Sequence, residues 1–395
     1  MNVNLTTATR IGLNLLGLLG AIVMLRLGES IFIPLVIALL LATILWSSAN
    51  RLHEYYKLPW ALACLLSVTV LVLFNLILTL WFILAIPKLV QDMAPKNYAE
   101  QKKIYQHFRQ NLESISPVPL DEKYFPEDPA NSEFFTVIQQ TLSGPYVAEA
   151  LLKIIGYLTN WLWQFVLIMF ILLFLLMEGR MLTRRFTEIF GPSIDARTKV
   201  AETLAEMTHS VRVYLIWRTV VNIGIGVAVA SIYNAMGLRQ AWTWGLLTAV
   251  LCYIPYLGPI VAGLPPILDA FIFVSPLMSL GVLGFYTAVM TLEGYVIVPL
   301  VMGRHMDLNA TTVMLACLFW DLVWGVPGLF LAMPLMAGFK SSCDHVPGWK
   351  PWANLMSATG VDTAGPEPPP ANMPPTVDLD QTILMDEPLQ EATGR

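Results

Sequence analysis

Charge is what this sequence has least of. Only 13% of its 395 residues are Asp, Glu, Lys or Arg, against 56% hydrophobic, whereas a soluble domain carries about 25% charged residues. A water-soluble core cannot hide that much apolar surface, so lipid is the expected solvent. The formal net charge is −5, and without a concentration of Lys and Arg there is no basis for binding nucleic acid. Cysteine is scarce as well. Cys64, Cys252, Cys317 and Cys343 form no C-x-x-C pair, and the first three lie inside apolar runs, as small core residues do. The five histidines lack ligand spacing, and neither H-E-x-x-H nor a P-loop occurs. No metal, ATP or other cofactor is called for.

Long apolar runs are what the chain has instead. Ile11 to Leu25, Ile31 to Asn50, Leu58 to Pro87, Ile154 to Met177, Val213 to Leu238 and Pro276 to Met302 read as six full transmembrane helices, most of them long enough to cross about 30 Å of hydrocarbon. Two further apolar regions are broken by Pro and Gly. The first, Gln240 to Ser275, contains Pro255, Gly258, Pro259, Gly263, Pro265 and Pro266; the second, Asn309 to Phe339, contains Gly325, Pro327, Gly328 and Pro334. The halves of the first, Ala241 to Ile254 and Ile260 to Phe273, are shorter than a usual span, so re-entrant hairpins are expected. The fold class is therefore all-α and polytopic, with eight hydrophobic segments. A shift of 68 positions lays Pro259 on Pro327, Pro266 on Pro334 and Phe271 on Phe339. Chance also explains that match, but paired interrupted segments point to a transporter's binding site.

Four regions follow. Residues 1–87 form a three-helix membrane region and 88–153 an extracytoplasmic helical insertion, with helical stretches at Ala99 to Leu112 and Phe134 to Leu142. Residues 154–340 form the membrane core, including a charged amphipathic linker helix at 178–212. Residues 341–395 form a disordered cytoplasmic tail, Pro-rich and acidic. The segment from Ser341 carries −6, leaving +1 for the rest. Short loops on the N-terminal side hold thirteen basic residues, whereas those on the other side hold only Arg26 and Arg239. The positive-inside rule therefore puts both termini in the cytoplasm.

A few ionisable residues interrupt the apolar runs. Glu293 lies within its span, where it must be protonated, paired or wet. It is a proton- or cation-coupling site or half of a buried ion pair. Arg218 either snorkels to the interface or is the countercharge of Glu293 or Asp321. Asp321, near the second break, is a candidate for contact with substrate or ion, while Asp269 is expected at an interface in a structural role. The breaks free backbone amides and carbonyls that can meet a solute. Pro255, Gly258, Pro259, Gly325 and Gly328 are thus the leading scaffold residues, and they either serve that purpose or kink helices for packing. Trp320 and Trp324 face a substrate or anchor at an interface.

The stretch Tyr253-Ile254-Pro255-Tyr256-Leu257-Gly258-Pro259 is followed in order by Leu292-Glu293-Gly294, Pro299 and Met302-Gly303-Arg304. Trp324-Gly325-Val326-Pro327-Gly328 then leads to Ala332-Met333-Pro334. Together they resemble the autoinducer-2 exporter family of bacterial inner-membrane permeases, over about residues 10 to 340. The resemblance implies a homo-oligomer, with a pentamer as the candidate assembly. Members of the family export a furanone-type signal or exchange sodium or lithium for protons. Gly303, Asn309, Trp324 and Pro334 join the candidate site on this ground. The sequence departs from the family at Ala310, where Pro is usual, and at Asp321, where a small residue is common. The functional expectation is a secondary transporter that exports a small polar metabolite or exchanges a monovalent cation for protons, working through two broken helices at the bilayer midplane. A passive channel, an envelope scaffold and a membrane-embedded enzyme are the alternatives, and the last lacks any nucleophile, base or metal set.

Overall fold

A computed structural model describes residues 7–93, 98–117, 120–122, 124–133, 137, 145–189, 194–302 and 307–358. The tail expected to be disordered from Ser341 is helical instead at Ser341–His345 and Lys350–Met356, because Cys343, Ala353 and Met356 find apolar partners there, and its remainder from residue 359 lies outside these residues, as does most of the expected helix at Phe134 to Leu142. Every longer regular element among them is a helix: α1 (Thr7–Leu27), α2 (Glu29–Tyr56), α3 (Trp60–Met93), α4 (Tyr98–Ile115), α5 (Pro145–Ile189), α6 (Ile194–Ala235), α7 (Ala241–Leu251), α8 (Leu257–Phe273), α9 (Pro276–Leu292), α10 (Val298–Met302), α11 (Ala310–Trp324), α12 (Val326–His345) and α13 (Lys350–Met356). Among the described residues, six helices are long and apolar enough to cross a membrane. They are not quite the six expected. The described part of α1, Gly12–Leu27, falls among the shorter apolar helices, while Val326–His345, expected as half of a broken segment, suffices on its own. The linker at 178–212 is likewise not one helix, because its two halves are extensions of α5 and α6.

Small residues set the packing. Ala38 and Ala49 of α2 are fully buried against Leu172 and Leu176 of α5, and Cys64 and Val68 of α3 close that bundle. A second core joins Val221, Ile225, Val229 and Tyr233 of α6 to Trp244 of α7, Ala262 and Ala270 of α8 and Val282 and Tyr286 of α9. Here α6 and α7 cross at Gly226 and Gly245. A Cβ on Gly226 would lie 2.8 Å from the Gly245 carbonyl oxygen, so only glycine permits this approach. The insertion helix α4 docks on the far end of α8, where Asn111 donates to the Phe271 carbonyl at 2.7 Å and His107 Nε2 lies 3.0 Å from the Val274 carbonyl oxygen.

Both broken segments are helical hairpins. The first turns through residues 252–256 and the second at Gly325 alone. They share two devices. The residue before each returning helix has positive φ: Tyr256 at 60° and Gly325 at 61°. A glycine then lets that helix lie against the outgoing one, because a Cβ on Gly258 would overlap the Leu251 carbonyl and one on Gly328 the Trp320 carbonyl.

The tips lie in different places. Trp324 Nε1 donates to the Leu25 carbonyl at 3.0 Å and Arg26 to the Leu322 carbonyl at 3.1 Å, so the second turn sits on the α1–α2 junction. The first turn instead reaches Arg218 of α6. At the other end of the second hairpin, Asn309 caps α11 by accepting from Thr312 N at 2.8 Å, and its amide donates to the Leu355 carbonyl at 2.7 Å. The short helix α13 is thereby clamped to the root of that hairpin, with Cys343, Ala353 and Met356 buried between them.

Alanine at either turn glycine should lower stability by about 1–3 kcal/mol through overpacking. Gly284→Ala, at a helical position with no atom near the new methyl, should raise it by about 0.4–1 kcal/mol. Thermal unfolding in detergent of Gly258→Ala, Gly328→Ala and Gly284→Ala checks both signs.

Candidate functional site

The long helix α6 carries Tyr214, Arg218, Asn222, Ile225, Val229 and Tyr233 at spacings of three or four residues, which puts them on one face. At Arg218 this face meets two irregular pieces of backbone. One is the end of α7, where carbonyls lose their helical partners. Pro255 has no N–H to offer the Leu251 carbonyl, which accepts from Ile254 N instead at 2.9 Å, and Arg218 Nη2 donates to the Cys252 carbonyl. The other is a π-helical turn over Glu293–Ile297 that follows α9. Such wide turns are frequent at functional sites, and this one begins at Glu293. Arg218 Nη1 donates to Glu293 Oε1 at 2.6 Å, with the two side chains 12% and 7% exposed. The pair therefore ties α6, the end of α7 and the π turn together.

Beside the pair lies a cavity of about 610 Å³ lined by Tyr214, Arg218, Glu293, Tyr256, Pro259 and Tyr295, among others. Pro255, Tyr256 and Pro259 come from the turn of the first hairpin, whereas Ala310 and Val313 come from the root of the second and Met333 from its returning helix. Three phenol rings beside one ion pair give a lining of mixed character, able to stack on a solute and to exchange hydrogen bonds with hydroxyl or carbonyl groups. Tyr256 holds φ 60° and ψ −55°, an unfavourable backbone for a side chain of its size. Two ties fix its surroundings. Tyr253 Oη and Thr219 Oγ1 are 2.5 Å apart, and Tyr286 Oη donates to the Pro259 carbonyl at 2.7 Å.

The expected residues divide clearly. Arg218 and Glu293 meet, Pro255 and Pro259 line the same cavity, and Gly258 allows the turn behind them. Asn309 is one residue before the lining residue Ala310, but its side chain is engaged as a cap. Asp321, Trp324, Gly325 and Gly328 are grouped at the second turn, away from the cavity, with Asp321 exposed and Trp324 buried. Pro334 is buried inside α12 next to the lining residue Met333. Gly303 lies outside the described residues. Asp269, expected at an interface, is instead 7% exposed and accepts from Trp244 Nε1 at 2.9 Å, which joins α7 to α8. Sequence reasoning missed Tyr214, Tyr256 and Tyr295. Two of them stand inside or beside stretches already singled out, and Tyr214 is one helical turn from Arg218, so proximity was the available signal. Among the described residues no group of His, Cys, Asp and Glu could hold a metal ion.

Comparison with known proteins supplies the family. The family model for the AI-2E family transporter matches residues 11–348. The chain belongs to that family. It is 25% identical over 360 residues to the AI-2 transport protein TqsA of Escherichia coli K12, covering 88% of this chain and 96% of that protein. A Haemophilus influenzae protein, whose name offers a transport role only provisionally, is 26% identical over 211 residues, 53% of this chain and 60% of the relative. The AI-2E chain is thus a multi-pass membrane protein of a transporter family, and the cavity is where its broken backbone and buried charges meet.

Removing one partner of a buried ion pair costs about 3–5 kcal/mol, whereas replacing both by apolar residues of similar size is often neutral. Arg218→Met alone should therefore be strongly destabilised, and adding Glu293→Leu should restore most of the loss. Denaturant or thermal unfolding of both single variants and the double variant measures this coupling.

Proposed function

We propose that this AI-2E protein is a secondary transporter of the bacterial inner membrane, with both termini cytoplasmic, and that the Arg218–Glu293 cavity is its cargo and coupling site. The cargo is a small polar metabolite that is exported, or a monovalent cation exchanged for protons. AI-2, named for the Escherichia coli relative, is one candidate. One observation carries the reading: a buried pair of opposite charges stands at the wall of a roomy cavity, between the turn of one hairpin and the root of the other. A structural ion pair needs no cavity, and an apolar cavity needs no ion pair.

Charge balance supplies the coupling. With Glu293 ionised, Arg218 is neutralised and also holds the Cys252 carbonyl. Proton transfer to the Glu293 carboxylate removes that countercharge. The guanidinium must then find another oxygen, from cargo or from the freed end of α7. Movement of the first hairpin is thereby linked to one proton. Arg218 precedes the end of α6 by 17 residues, about 25 Å along the helix. With Arg239 outside, the pair lies nearer the cytoplasmic face than the midplane.

Large apolar side chains such as Leu16, Leu27, Leu84, Leu277 and Leu300 are exposed on the protein surface. Lipid covers such surface, and assembly with further copies of the chain covers part of it.

Flux in proteoliposomes tests the proposal. Uptake should saturate with solute and respond to an imposed pH gradient. Glu293→Gln keeps an acceptor oxygen for Arg218 but cannot lose a proton, so its gradient-driven flux per folded protein should fall to the level of empty vesicles. Unsaturable flux favours a passive channel, and undiminished coupling in Glu293→Gln removes Glu293 from the mechanism.

A further inference from the structure

One turn beyond Arg218, the same face of α6 carries Asn222. It is 1% exposed, and neither its amide nitrogen nor its amide oxygen has a hydrogen-bond partner among the described residues. The Tyr233 hydroxyl, eleven residues further along, is also buried and unpartnered. Tyr233 belongs to the apolar core with Val221, Ile225 and Val229 of α6, and Asn222 lies between Val221 and Ile225 along the same helix. A buried polar group left unpaired is destabilising, because it gives up its bonds to water and gains none in return. Such exceptions in a native fold call for an explanation, and hydrocarbon around the protein offers no solvent to relieve them.

The position of Asn222 suggests the reason. It is four residues from Arg218, whose guanidinium reaches the end of α7, and four from Gly226, whose backbone presses on Gly245 and Ala249 in α7. Helical periodicity thus turns Asn222 toward α7 between these two contacts. The seam that covers it rests on glycine against glycine along α7, which is only 11 residues long, and is latched at one end by the Arg218–Cys252 hydrogen bond with the Thr219–Tyr253 contact beside it.

We propose that Asn222 is a second binding station of the pathway, closed in this conformation and wetted when the first hairpin leaves α6, where its amide takes an uncharged hydrogen-bonding group such as a hydroxyl of the cargo or a water. Tyr233 continues the same stripe about 16 Å further along the helix. The passage therefore runs from the cavity along α6 beneath α7, and once the Glu293 countercharge is lost, cargo that draws the Arg218 guanidinium off the Cys252 carbonyl opens it by releasing the latch. This station rests on the transporter reading given above.

Thiol labelling tests it. Asn222→Cys, Leu172→Cys, buried in the separate α2–α3–α5 bundle, and Tyr256→Cys are reconstituted separately, and modification by a membrane-impermeant, positively charged methanethiosulfonate is followed against the unsubstituted protein, which reports the four native cysteines. Asn222→Cys should react several-fold faster than Leu172→Cys, and faster still when a pH gradient is imposed. Asn222→Cys as silent as Leu172→Cys, with Tyr256→Cys reactive and gradient-driven flux present in the unsubstituted protein, overturns the station and leaves the transporter reading standing. Absence of gradient-driven flux from the unsubstituted protein overturns both. Should the cysteine variant fail to fold, hydroxyl-radical oxidation of the unsubstituted protein probes the same passage. Tyr233 should be oxidised in spite of its burial, and a protected Tyr233 beside an oxidised Tyr256 overturns the passage.

Discussion

The ion pair of Arg218 and Glu293 is the constraint on which the membrane core depends. Two opposite charges out of water are tolerable only when they hold each other and when their remaining hydrogen-bonding groups are used. Arg218 meets both conditions by reaching the Glu293 carboxylate and the Cys252 carbonyl at once. The second bond is possible only because α7 stops, and it stops where Pro255 supplies no N–H. The first is possible only because α9 widens into a π turn at Glu293. Three irregularities that would each be a liability in lipid are thereby made to satisfy one another, and the space they leave is the cavity.

The two hairpins divide the remaining work. They are built alike, with a residue of positive φ before the returning helix and a glycine tucked against a carbonyl of the outgoing one. Their contacts differ. The tip of the first hairpin reaches the ion pair, whereas the tip of the second is fastened to the α1–α2 junction through Trp324, and its root is clamped by α13 through Asn309. The first is tied to α6 at its tip by the Arg218–Cys252 and Thr219–Tyr253 contacts, with α4 docked on its far end. Of the two, it is the one whose hold answers to the charge on Glu293.

Much of this was legible in the residues. Run length and Pro/Gly placement located both hairpins to within a few residues, since lipid forbids unpaired backbone except beside protein or water. Arg218 and Glu293 stood out because an apolar run tolerates few charges. What was not legible was distance across the chain. Nothing in the sequence says that Glu293, 75 residues from Arg218, is its partner in preference to Asp321, or that the second turn sits on α1 instead of beside the first. The Pro259/Pro327 match at a shift of 68 paired the two broken segments but could not say which parts of them meet, and the structure brings the tip of one to the root of the other. The set of six spans changed membership for a related reason: one residue, Gly325, suffices for the second turn, which leaves α12 a full 20 residues. Asn222 gave no signal at all, because an isolated Asn in an apolar helix becomes informative only when its lack of partners is seen.

A structure of the protein in lipid nanodiscs, at a resolution that shows side chains and ordered water, tests the central claim most directly. The account predicts density joining Arg218 to both the Glu293 carboxylate and the Cys252 carbonyl, with water in the cavity bounded by Tyr214, Tyr256 and Tyr295. An Arg218 side chain turned away to the membrane surface, with Glu293 sealed in hydrocarbon and the cavity filled by lipid or apolar side chains, would contradict it.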